Sequence, residues 1–217
     1  MTATARRKAV LRSSASIPAF CSAAAIGATL VALVGYSMGA APQERWLLAA
    51  RYTARLSFPI FVLVFVASSW NRLAPSRVSR FLVQRRRALG LAFATAHTIH
   101  LAALVTRNVV AGERPGAVTL LAGGGAYLVM FAMALSSNDA AVRLLGRNWI
   151  RLHKVGIYWL WFVFTVSYAK RTFGALPEFA PLFGLAVVAL ALRIAASRSR
   201  ARRPQRVGAT PLASAEG

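Results

Sequence analysis

The sequence predicts an all-α protein: a polytopic membrane bundle of six transmembrane helices with both termini cytoplasmic. Three observations carry that expectation. Apolar residues make up 57% of the 217-residue chain and fall in runs of membrane-spanning length. The 27 Lys and Arg against 5 Asp and Glu give a formal charge of +22, and the cations sit in short clusters between those runs. The clusters alternate by side: the amino terminus, the connections after the second and fourth runs, and the carboxyl tail hold nearly all of them, which marks these segments as cytoplasmic. So basic a chain raises a nucleic-acid partner. Clusters that mark the ends of spans are topology rather than a phosphate-binding groove, so lipid and not nucleic acid is the expected contact.

Taken in order, residues 1–16 form a basic cytoplasmic terminus, residues 17–196 the bundle, and residues 197–217 a basic tail expected to be disordered and drawn to anionic lipid. The first span, 17–41, is too long for the apolar part of a cleaved signal. It holds Cys21, and a single cysteine leaves no disulfide framework or paired-cysteine metal site. The second span, 46–70, carries Arg51 and Arg55 four apart on one face of its first turns. Residues 71–87 form a basic connection in which Val78, Phe81 and Leu82 share one face, as in a short helix lying on headgroups.

The third span runs from the arginine cluster at 85–87 to Ala111. After a short turn the fourth is expected to start at Pro115 and reach Ser136, with Gly123, Gly124 and Gly125 read as close helix packing. The fifth, 150–169, is crowded with aromatic side chains and has His153 in its first turn, and the sixth covers 176–196. Spans one, three and five then run outward. Helices three and five are parallel, so comparable positions on them lie at comparable depths.

Two histidines interrupt the third span. At ~1.5 Å per residue from Arg87, His97 and His100 lie roughly 15 and 20 Å into the membrane, and three residues apart they share a face. Polar side chains at that depth are costly and mark a ligand or a pathway. The alternative is a pair satisfied by a neighbouring helix's backbone or hydroxyls. His153, beside Arg151 and Lys154, reads on its own as a solvated interfacial residue.

Two stretches carry a resemblance. Residues 86–100, RRALGLAFATAHTIH, have an arginine, Leu-Gly-Leu, an aromatic residue and then histidine; residues 136–158, SSNDAAVRLLGRNWIRLHKVGIY, have Arg-x-Leu-Gly, tryptophan and Leu-His followed by tyrosine. Together they resemble the ferric reductase-like transmembrane domain family, and within it the haem-binding membrane subunits of bacterial periplasmic methionine sulfoxide reductase systems. The resemblance runs from about Arg51 to Lys170.

It implies a multi-pass protein of the bacterial inner membrane that binds b-type haem. Such a protein passes electrons from an inner donor, a quinol or reduced flavin, to an outer redox partner. It also implies that His100 and His153 are the iron ligands, with His97 beside them. The family's second histidine on the fifth helix falls at Ser167 here, or one residue earlier at Val166, and is missing; Ser167 stands fourteen residues after His153, and Arg86 fourteen before His100. Each haem level therefore keeps one histidine of its family pair. Arg51 and Arg55 then either neutralise haem propionates or extend to the outer headgroups. No Gly-rich dinucleotide fingerprint, HExxH or CxxC motif is present, so an electron donor and acceptor would be partners. The rival expectation is a haem-free scaffold or small transporter on the same fold.

Overall fold

A computed structural model describes residues 16–174 and 176–201. The basic amino terminus and the tail beyond residue 201, including most of the segment expected to be disordered, lie outside the described residues. Among these residues the chain forms eight helices and no strand: α1 (Ile17–Ser37), α2 (Pro42–Leu73), α3 (Arg77–Gln84), α4 (Arg86–Ala111), α5 (Ala117–Leu135), α6 (Asp139–Leu145), α7 (Arg147–Gly174) and α8 (Ala180–Ala201). A 3-10 turn, Pro177–Phe179, leads into α8.

Helices α1, α2, α4, α5 and α8, the last with its lead-in turn, are long and apolar enough to cross a membrane. The chain is a multi-pass membrane protein. The remaining long helix, α7, has 28 residues but differs from the expected fifth span in composition. Arg147, Arg151 and Lys154 charge its first two turns and Lys170 and Arg171 its last, leaving an apolar stretch between them of ~22 Å at 1.5 Å per residue.

Helix α2 is the centre of the bundle. Phe58, Phe61 and Phe65 recur along one of its faces and are buried against α4, α7 and α8, where Phe93 and Phe164 meet them ring to ring. Between apolar helices in lipid the gain comes from close packing and interhelical hydrogen bonds rather than from water release. The ties that fix α8 are of that kind. Trp161 Nε1 donates to the Ala186 carbonyl (2.9 Å), and Arg72 Nη1 to that of Ala196 (3.1 Å). On the other side, α1 meets α2 and α4 through Ala24, Ala28, Ala49, Ala50, Ala92 and Ala96, all buried. Small side chains let these backbones approach.

The connections follow their sequence signals with three exceptions. Helix α3 forms where its pattern predicts, capped by a reciprocal pair, Ser76 and Ser79; Val78 and Phe81 stay exposed, while Leu82 turns inward and is buried. Gly112 ends α4 at φ 63°, and Gly146, at φ 49°, makes the turn from α6 into α7. That turn starts α7 at Arg147, one turn earlier than the apolar run suggests. Helix α5 starts at Ala117 with Gly116 at its N-cap, because Pro115 lies before the cap and not inside the helix. The third exception is the glycine run. Leu120–Gly124 is π-helical, and a Cβ added at Gly123 or Gly124 would meet nothing within 4 Å, so these two glycines do not mediate close packing. Only Gly125 approaches another helix, 3.8 Å from Trp159 Nε1.

Candidate functional site

His97 and His100 lie together against α2. His97 is buried, its ring 5.3 Å from Phe93, 5.1 Å from Tyr127 and 5.1 Å from Phe164, and its Nδ1 is 2.9 Å from Ser57 Oγ. The His100 ring follows at 4.8 Å. Its Nδ1 is 2.9 Å from the Ala50 carbonyl oxygen, an acceptor only, so Nδ1 carries the proton and Nε2 the lone pair. Thr53 Oγ1, which donates to the Ala49 carbonyl (2.8 Å), also lies 3.2 Å from that Nδ1. Thr53 and Ser57, one turn apart on α2, thus match His97 and His100, one turn apart on α4. A neighbouring helix's backbone and hydroxyls satisfy one nitrogen of each ring, as the second sequence reading of this pair expected.

Arg51 and Arg55 sit at the same end of the bundle as His100. Arg55 is 3.8 Å from Glu178 and its guanidinium lies 4.5 Å over Phe179, which Arg171 approaches at 5.5 Å from its own side. Arg51 is near enough to Arg171 for their charges to interact. The ring of Phe179 and one carboxylate hold this cationic group together. Arg107 pairs with Glu113 instead.

His153 stands apart, at the other end. Its ring stacks on Trp149 at 4.0 Å, and Nδ1 is 3.1 Å from the Trp149 carbonyl, which fixes the Nδ1–H tautomer. Nε2 is buried and makes no hydrogen bond of ordinary geometry among the described residues, although the Met133 backbone also lies near enough to the ring to interact with it. An imidazole whose Nδ1–H edge is anchored to backbone holds the tautomer that a metal ligand at Nε2 needs.

His153 lines a cavity of about 580 Å³, within the size range of sites that enclose cofactors. The cavity opens where the first turns of α4 (Arg86, Arg87, Gly90) and of α7 (Trp149, His153, Lys154) face the last turns of α5 and Arg193 of α8. Its floor is apolar: Phe61, Phe93, Met130, Ile157 and Leu160. The amino-terminal turns of α4 and α7 share this one space, as two parallel helices require. Toward the opposite end the gap between them is closed by side chains, where Phe164 fills in against Phe93 and His97. The arginine of the first motif and the histidine of the second therefore meet across one cavity. His100 does not line it.

Sequence reasoning missed Tyr127, Thr53 and Ser57 beside the histidine pair and Arg193 in the cavity wall. Arg193 had a signal, an arginine inside the run AVVALALRIAA, but it reads equally as part of the inner positive cluster.

Over 131 residues the chain is 28% identical to the protein-methionine-sulfoxide reductase heme-binding subunit MsrQ of Cronobacter sakazakii (strain ATCC BAA-894). The two are distant homologues. The aligned stretch is 54% of this chain and 64% of that relative, so the chain spans under two thirds of MsrQ. No family model matches the chain, and no solved structure does.

Proposed function

We propose that this chain is a haem-binding electron-transfer subunit of the bacterial cytoplasmic membrane, with its haem in the cavity at the inner ends of α4 and α7 and His153 as iron ligand. The carrying observation is that His153, its tautomer fixed by the Trp149 carbonyl and its Nε2 without a hydrogen bond among the described residues, lines a cavity of about 580 Å³. Homology to a subunit named for haem binding supports the choice of ligand. The residues fit: a neutral imidazole with a fixed tautomer, an apolar floor for a macrocycle, and cations at the rim. When bound, haem supplies one-electron redox chemistry; the chain's own residues hold it, shield it from water and set its surroundings. The inner donor, a quinol or reduced flavin, and the outer acceptor are partners in this reading. His97 and His100 line the path toward the outer acceptor, and Arg51, Arg55 and Arg171 present a cationic face to it.

The reading includes six spans, α7 among them, with both termini cytoplasmic, as the arginine asymmetry indicates. Cysteines placed at Gly112 and Gly174 are then expected to react with an impermeant reagent in sealed cells and one at Ser76 not to. Labelling at Ser76 reverses the orientation.

The functional test is the absorption spectrum of the detergent-purified protein, oxidised and then reduced. The expected result is a Soret band and the reduced α-band of a b-type haem. Protein purified from haem-replete cells without either band supports the haem-free scaffold instead.

A further inference from the structure

The cavity is a cationic one, and its charges are not balanced by carboxylates among the described residues. Arg86, Arg87, Lys154 and Arg193 line it, and Asp139 is the one carboxylate among its lining residues. Asp139 is already taken by Arg87, 3.0 Å away. Lys154 is exposed, so solvent or headgroups can serve it. Arg86 and Arg193 are partly buried, and neither pairs with a carboxylate among the described residues. They are near enough for their charges to repel.

Arg193 is held rigidly. Its Nη1 donates to the Phe65 carbonyl (2.6 Å) and its Nε to Tyr158 Oη (3.1 Å), while its carbon centre lies 4.3 Å over the Phe65 ring and 4.6 Å over that of Tyr158. Two of its five donor hydrogens are used in this way. The ties fix the guanidinium without neutralising it. Two uncompensated guanidiniums on one apolar-floored cavity call for an anionic ligand, and planar guanidinium forks suit carboxylates.

We propose that Arg86 and Arg193 form a carboxylate clamp for the cavity's ligand, and that Arg193 raises the reduction potential of the haem held there. The second part rests on the haem reading above. Haem carries two propionate carboxylates, and a fixed positive charge beside the macrocycle favours the form with one more electron. Arg193 lies on α8, outside the region of family resemblance, so this is a property of the chain's own last helix.

The test is a potentiometric titration of the purified haem protein in wild type, R193Q, R193K, R86Q and R72Q. R193Q is expected to lower the midpoint by about 59 mV or more, a tenfold change in the one-electron equilibrium. R86Q shifts it the same way, and R193K stays within about threefold of wild type. R72Q is the control, because Arg72 also ties α2 to α8 through a backbone carbonyl but does not line the cavity. If R193Q yields no folded protein, R86Q against R72Q decides. Unchanged midpoints in the charge-removing cavity variants, with haem retained, overturn the clamp and leave the haem reading standing. A wild-type protein without haem overturns both.

Discussion

His153→Ala is expected to lower the haem-to-protein ratio of the purified protein more than tenfold, while His97→Phe and His100→Ala keep most of it. The three residues differ in what their free nitrogen faces. His153 lines the cavity with its Nε2 making no hydrogen bond among the described residues, and alanine removes the only imidazole among the lining residues. His97 is wedged among Phe93, Tyr127 and Phe164, where a phenylalanine fits by shape and loses one hydrogen bond to Ser57, worth about 1 kcal/mol. His100 is bound to α2 through Ala50. Haem content by the pyridine haemochrome assay, normalised to protein recovered as a single gel-filtration peak, reads the difference. A His100→Ala protein that is bleached while His153→Ala keeps its haem would put the ligand at the outer level.

The second large effect is on stability. Gly35→Val is expected to cost about 1–3 kcal/mol or more, the range for overpacking a close contact, and to lower the thermal unfolding midpoint in detergent by several degrees. A Cβ at Gly35 would stand 2.8 Å from the Leu48 carbonyl oxygen and 2.9 Å from Ala49 N. Those are backbone atoms of α2 and cannot rotate away, so α1 itself has to move. Gly156 is an intermediate case: its Cβ would meet Met133, a flexible side chain that can swing aside, but also Val129 Cγ1, which is stiff at χ1. Gly123→Ala, in open space, should leave the midpoint unchanged or raise it, since alanine is the better helix former. An unaffected Gly35→Val protein would mean that α1 is not seated on α2 as described.

The helices were legible because apolar runs of this length have few other fates, and α3 because Val78, Phe81 and Leu82 recur on one face; its Ser76–Ser79 cap was not read from the sequence. Gly146 was legible through its motif, and its positive φ supplies the physical reason for the glycine. The π-helical stretch at Leu120–Gly124 was not, since three glycines in lipid read as packing until it is known that nothing packs there. For the histidines, depth was readable but neighbours were not. That Thr53 and Ser57 of α2 lie opposite His100 and His97 depends on the register between two helices. A run of residues carries no record of that register. His153 shows the reverse: its position beside two cations looked interfacial, and only the fold places it on the wall of a cavity. Arg193 was visible inside the sixth span but drew no reading, because topology alone accounts for an arginine near a helix end.

The most direct test of the central claim is rescue of His153→Gly by imidazole. Removing the side chain leaves a hole of imidazole's own shape between Trp149 and the cavity, so added imidazole is expected to restore the haem content and the low-energy bands of the reduced spectrum in that variant. His100→Gly, which on this account never lost the cavity's ligand, should show no imidazole-dependent gain. Restoration in His100→Gly with none in His153→Gly would contradict the assignment and move the haem to the outer half of the bundle.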